Sequence, residues 1–383
     1  MRIILDVIED VTMKIILSYK ATLDRGGQGL NFRHVFESFP NDFEKVVFSE
    51  TPHLGIQVPK DNIANLLWKI PLVRKRRDLI VMREQFYFDQ WVSKKIPAAD
   101  YLVAGVGHAL ETFRMAKSRN IRCILDVTTN HVDQFGESQD QEIKKFGGQI
   151  TLHPRLRKKV RDEYQIADRI RVMSEVSKNS LVERGVEAGK IFVATPPISN
   201  PSAPTMNLSG DIFRVVFVGL LEPAKGFHYL VEAFKALRGN CQLDLYGGPG
   251  LRGVARYLKK ATESDLRIKV IPKTVQGCFE EVYCKASVLV LPSLSDGFGY
   301  VVGEAMACGV PVIVTSSCGA ADLVKDGVAG FVVPPSDSQA LLSVLEYCQK
   351  NPQARNRLGK AGISLSAMHT TETFWRAWEI GIL

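Results

Sequence analysis

Short apolar runs alternate with stretches of helical spacing along nearly the whole chain. In the first half the runs are KIILSY (14–19), KVVFS (45–49), YLVAG (101–105), RCILDV (122–127), RIRVMS (169–174) and IFVAT (191–195). In the second they are FRVVFVG (213–219), QLDLYG (242–247), RIKVI (267–271), SVLVLP (287–292), PVIVT (311–315) and GFVVP (330–334). These runs are continuously apolar rather than alternating, as expected of strands buried on both faces of a parallel sheet. Between them ALETFRMAKS (109–118) has helical spacing, and VSKNSLVERGV (176–186) contains a glycine suited to a helix terminus. Strand and helix in alternation predict an α/β fold with helices on both faces of each sheet.

Residues 196–211, PPISNPSAPTMNLSGD, are rich in Pro, Ser and Asn and offer little to bury. They read as a linker and hinge. The chain has 383 residues, more than one core usually serves. Two doubly wound Rossmann-like domains follow, 1–200 and 201–369. The apolar segment TFWRAWEIGIL (373–383) suggests a C-terminal helix, residues 370–383, that packs back on the first domain.

Composition is that of a globular protein, 45% hydrophobic and 23% charged. No apolar run is long enough to predict a membrane span. The opening MRIILDVIEDVT carries acids where a signal peptide needs apolar residues, which favours a cytoplasmic location. Met13 is a second possible start, and the place of residues 1–12 stays open. Seven scattered cysteines without metal spacing read as reduced thiols. The net charge of +8 is uneven: residues 1–200 hold 31 Lys+Arg against 25 Asp+Glu, a difference of +6, leaving +2 for the remainder. Arg74, Lys75, Arg76 and Arg77 form one basic cluster, and RLRKKVR (155–161) another. Both fit a solvated helix face. The first also fits peripheral contact with an anionic membrane at its inner face. No nucleic-acid recognition module is visible.

The densest chemistry lies in residues 291–335, where the run SVLVLP (287–292) ends in SLSDGFGYVVGEAMACGVPV (293–312). Asp296 and Glu304, separated by seven residues, fall beside a helix start at the C-terminal edge of a strand, where open α/β sheets bind ligands. Gly-Phe-Gly lies between them and Ala-Met-Ala-Cys-Gly-Val-Pro-Val after. This stretch closely resembles the donor-sugar motif of family-four (group 1) retaining glycosyltransferases, whose two domains face each other across a cleft in the GT-B fold. Asp296 stands where that family has its first Glu.

The resemblance implies a retaining, metal-independent enzyme, a hexosyltransferase-type catalyst of glycan or glycolipid biosynthesis. It would move a sugar from a nucleotide-sugar donor to an acceptor hydroxyl on a saccharide or lipid-linked saccharide. The nucleotide sugar is a substrate, and no cofactor or metal is implied. Lys225 matches the diphosphate-binding lysine, five residues after Leu220, which occupies the usual Arg position following Gly219. Glu304 is assigned the donor ribose. Asp296 is assigned the reacting sugar, or else only an Asp-Gly turn. Phe298, Gly299 and Tyr300 would offer backbone N–H groups, although Phe298 also suits a core position. The loop RGGQG (25–29), with Gly27 and Gly29, would face the diphosphate from the first domain, and YGGPG (246–250) is similarly placed after its strand. His131 is the catalytic candidate of the first domain, with helix capping as its other reading, and His108 is the runner-up. The region near Lys273 and Thr274 would select the base. The Leu220 and Asp296 departures keep two alternatives open: a GT-B epimerase acting on a nucleotide sugar, and a weakly active sugar-nucleotide-binding scaffold. A nicotinamide enzyme lacks its glycine fingerprint here.

Overall fold

The computed structural model describes residues 13–23, 26–71, 73, 76–148, 152–199, 212–271 and 282–382. Within them the first sheet holds β1 (Lys14–Tyr19), β2 (Glu44–Ser49), β3 (Ile56–Gln57), β4 (Tyr101–Gly105), β5 (Arg122–Val127), β6 (Arg169–Val172) and β7 (Ile191–Val193). The second holds β8 (Phe213–Val218), β9 (Cys241–Tyr246), β10 (Ile268–Ile271), β11 (Val288–Leu291), β12 (Val312–Thr315) and β13 (Gly330–Val333). The spatial orders are β3-β2-β1-β4-β5-β6-β7 and β10-β9-β8-β11-β12-β13. Every recorded pairing is parallel. In each sheet the order reverses at the first strand, so β1 and β4, and likewise β8 and β11, flank a switch point where loops diverge and leave a crevice.

Burial on both faces explains the apolar strand sequences. In β11 all four residues, Val288 to Leu291, are buried, as are all five of β4. β3 is the exception, a two-residue exposed edge strand that carries no apolar signature.

The last helix, Thr371–Ile382, leaves the second domain and packs against helix Gly26–Ser38 and strands β6 and β7. Its Trp378 is fully buried, with its ring 5.6 Å from Phe39 and 5.4 Å from Phe192. Beneath it lies a buried ion pair, Arg171 to Asp126 at 2.8 Å. Tyr19 and Asn31 donate to the same Asp126 carboxylate at 2.6 Å, and the Arg171 guanidinium lies under the Phe374 ring. A buried pair of this kind is tolerable because its remaining lone pairs and protons are satisfied.

The stretch read as a linker is partly structured. Ile198 is buried against the second domain, and its N–H donates to the carbonyl of His369 on the returning chain at 2.9 Å. Its apolar side chain has a place because Gly303 leaves room for it. Residues 200–211 lie outside the described residues, as do residues 1–12.

Candidate functional site

β8 ends at Val218, and the chain turns through Gly219 and Leu220 to a short 3-10 turn, Pro223–Lys225. Gly226 closes that turn at φ 65°, and a Cβ there would sit 1.9 Å from the Pro292 carbonyl oxygen. Only glycine satisfies both constraints. The close approach sets Lys225 against the loop that follows β11. Its Nζ donates to Asp296 Oδ2 at 2.5 Å, and Ser293 Oγ donates to the same oxygen at 3.3 Å. Burial works against the ammonium, but the Asp296 carboxylate outweighs it, and the Lys225 pKa lies above the ordinary lysine value. About a third of the lysine side chain, 34%, remains open to solvent. An ammonium has three donors, so two remain for a ligand.

Helix Tyr300–Ala307 opens just beyond, after Gly299 at φ 84°. A Cβ on Gly299 would meet Leu291 and Cys318 at 2.8 and 3.0 Å, so the backbone lies flush on the core. Phe298 is buried in that core, its ring 5.1 Å from Tyr300. Glu304 lies one turn into the helix and accepts a hydrogen bond from Tyr283 Oη at 2.9 Å. Burial raises its pKa to about 7, with the Tyr283 hydrogen bond pulling the other way. The carboxyl group therefore changes charge near neutral pH. Sequence reasoning missed Tyr283, which sits in an unremarkable run between strands.

The first domain closes on this loop through backbone and small polar groups. Asn130 Nδ2 donates to Ser295 Oγ at 3.1 Å and to the Ser317 carbonyl at 3.0 Å. Ser174 Oγ donates to the Gly297 carbonyl at 2.9 Å, and Ser177 Oγ to Asn130 Oδ1 at 2.9 Å. Gly297 fits so closely that a Cβ would lie 2.2 Å from the Thr128 carbonyl oxygen. A second contact lies further out. Glu142 of helix Val132–Lys145 accepts from Tyr229 Oη at 2.8 Å and pairs with His228 Nε2 at 2.8 Å. Serine and asparagine carry little signal in a sequence, and the bonds that Asn130 and Ser174 make to the second domain join residues more than a hundred positions apart.

The predicted first-domain residues take different places. His131 is 3% exposed and caps helix Val132–Lys145, its Nδ1 accepting from the Asp133 N–H at 3.2 Å. Burial lowers its pKa. Its recorded partners, Asp133, Ser180 and the Tyr164 ring, all belong to its own domain. His108 accepts from the Lys20 N–H at its Nε2, 3.0 Å, so its proton sits on Nδ1 and goes to Gln85 Oε1. Burial lowers its pKa to about 3, and it holds the loop after β1 as a neutral ring. The expected RGGQG loop needs correction: Gly26 to Gly29 form the first turn of helix Gly26–Ser38. Gly27 and Gly29 are thus helical, and the Tyr300 ring, which reaches across from the second domain, lies beside Gly27 and His34.

Leu220, at the position where the resembled family has Arg, is 62% exposed. Of the basic cluster, Arg76 pairs with Asp78 at 2.9 Å, and the Arg77 guanidinium lies 6.0 Å from the Trp68 ring. These two cations are thus engaged within the molecule. Arg74, Lys75, Lys273 and Thr274 lie outside the described residues. Among the described residues no cluster of His, Cys, Asp and Glu has the makings of a metal site, and no helix is long and apolar enough to cross a membrane.

Residues 206–365 match the family model described as glycosyl transferases group 1. The D-inositol 3-phosphate glycosyltransferase of Thermomonospora curvata is 29% identical over 226 residues, covering 51% of this chain and 52% of that protein. The corresponding protein of Actinosynnema mirum is 31% identical over 176 residues, covering 42% and 40%. The chain spans about half the length of the curated relatives it matches. Among solved structures, sucrose-phosphate synthase from Thermosynechococcus elongatus superposes with a TM-score of 0.70 at 20% identity, covering 96% of this chain and 97% of that one. HepE of Anabaena in complex with UDP-glucose gives 0.69 at 19% identity, covering 96% and 99%. The lipopolysaccharide outer core galactosyltransferase WaaB gives 0.69 at 16% identity, covering 97% and 99%. The GT-B fold is shown over nearly the whole chain, and the resemblance to group 1 glycosyltransferases over its second half.

Proposed function

We propose that this chain is a glycosyltransferase that takes a sugar from a nucleotide-sugar donor and passes it to an acceptor hydroxyl, with retention of anomeric configuration and without a metal ion. The observation that carries the reading is the Lys225–Asp296 pair at 2.5 Å, set beside the start of helix Tyr300–Ala307 and facing the first domain's loops. Lys225 has donors left for a diphosphate, and the helix N-terminus adds backbone N–H groups and a favourable dipole. Glu304 would accept the ribose hydroxyls, and Asp296 would both hold the lysine and face the sugar.

In the proposed step the bond from the anomeric carbon to the diphosphate oxygen breaks, and the acceptor oxygen bonds to that carbon on the same face. The acceptor proton passes to the departing diphosphate, whose growing charge Lys225 stabilises. His131, as a buried helix cap, would shape the cleft wall rather than move a proton. A glycan or glycolipid precursor is the acceptor class this reading favours. HepE was solved with UDP-glucose, which supports a nucleotide diphosphate sugar as donor.

The test is a panel of UDP-, GDP- and ADP-sugars offered with a hydroxyl acceptor, with and without EDTA, the product's anomeric configuration being read by NMR. Charge-assisted hydrogen bonds are worth about 1.5–3 kcal/mol each, so Lys225→Ala should slow transfer by about a hundredfold with EDTA immaterial. Transfer at the wild-type rate in that variant would remove the assignment. The exposed Leu220 favours a second reading, a relative that isomerises or merely binds the donor. An isomerised donor, or binding without turnover, in the same panel would select it.

A further inference from the structure

Residues 51–77 hold six Lys and Arg against one acid, Asp61. That acid is spent internally. It caps helix Asn62–Lys69 by accepting from the Ile63 N–H at 2.9 Å, and it pairs with Arg83 at 2.7 Å. The helix is apolar on two sides. Ala64, Leu67 and Trp68 turn toward the protein, and Trp68 Nε1 donates to Glu84 at 2.8 Å. Ile63, Leu66 and the following Ile70, spaced i, i+3, i+7, share the opposite face and are 54%, 59% and 39% exposed. Ile56, on the strand just before, is 41% exposed. Lys60 and Lys69 flank the patch and are exposed too.

We propose that this face seats the chain on an anionic lipid surface, with Ile63, Leu66 and Ile70 entering the headgroup boundary and Lys60 and Lys69 lying among the lipid charges. A helix with one face on its own domain, bulky aliphatics on the other and lysines at the border has the pattern of an interfacial helix. Charge decides the occupant. A second copy would bring the exposed Lys60 and Lys69 of both chains together, whereas an anionic bilayer complements them. The placement also suits the cleft. Glu84, which holds Trp68, also receives Lys20 at 3.4 Å, and Lys20 lies in the loop after β1 at the cleft mouth. An acceptor anchored in that bilayer would meet the cleft directly. This last step rests on the transferase reading, while the seating itself does not.

The experiment is sedimentation of the full chain with vesicles of phosphatidylcholine alone and of equimolar phosphatidylcholine and phosphatidylglycerol, without any sugar nucleotide. The expected result is pelleting with the anionic vesicles only, weakened by salt. Each lysine lost should weaken partitioning by about fivefold, so Lys60→Glu with Lys69→Glu should reduce it at least twenty-fivefold. Ile63→Glu with Leu66→Glu should abolish it. Leu266→Glu, at an 86% exposed leucine of the second domain, should leave it unchanged. Circular dichroism melts check that each variant folds. Failure of the wild type to pellet, undiminished pelleting of the Ile63/Leu66 variant, or a dimer in the ultracentrifuge that this variant dissolves would each overturn the proposal. None of these results touches the donor reading, which the sugar panel tests separately.

Discussion

Replacing Glu304 by glutamine should make the protein more stable, and by an amount that depends on pH. The carboxyl group is raised from its ordinary 4.5 to about 7 by burial. A raised acid contributes its full stability below the unfolded pKa and loses it as pH climbs through the folded one. Above pH 7 the wild type therefore carries the whole cost, about 2.5 units at 1.36 kcal/mol each, or roughly 3 kcal/mol. Glutamine keeps the shape and can still accept the Tyr283 hydrogen bond, but it does not titrate. The advantage of Glu304→Gln should grow by roughly 2 kcal/mol between about pH 5.5 and pH 8. Urea denaturation of both proteins across that range measures it, and other titrating groups cancel in the difference. A difference that is flat with pH, or a wild type more stable than the variant at pH 8, would refute the reasoning. Ligand binding adds a second sign. In the proposed role of Glu304 the ribose hydroxyls would donate to the ionised carboxylate, so UDP should bind the wild type more weakly as pH falls below 7, by up to about tenfold per unit. The glutamine variant should show no such slope in calorimetry.

Two further outcomes follow from packing. Gly297→Ala places a Cβ 2.2 Å from the Thr128 carbonyl, where only backbone could yield; the melting temperature should hold while X-ray scattering shows a wider molecule and transfer falls at least about tenfold, ~1.4 kcal/mol, and an unchanged radius with unchanged rate would contradict the contact. Trp378→Ala should cost about 3–5 kcal/mol in urea unfolding, felt in the first domain's transition although the residue follows the second in sequence; a shift confined to the second domain's transition would show that the helix belongs there instead.

The strands were legible because burial on both faces leaves an unbroken apolar run, and the runs at 14–19, 101–105 and 122–127 coincide with β1, β4 and β5. β3 was not, since two exposed edge residues need no such run. The glycines at 26–29 read as a loop because glycine is a poor helix former, yet they form the first turn of helix Gly26–Ser38. The pairing of Asp296 with Lys225 is not legible in the sequence, because it depends on the close turn at Gly226 that brings the two loops together. Closure of the cleft by Asn130, Ser174 and Ser177 left no trace, because a serine facing a carbonyl 123 residues away looks like any other serine.

The hydrogen bond from Ile198 to His369 has a topological consequence. The outgoing and returning strands of chain leave the first domain at one spot, so the whole second domain is an insertion whose two ends touch. Such a unit can be exchanged between relatives as a cassette, with one short junction to rebuild and the first domain left intact around it.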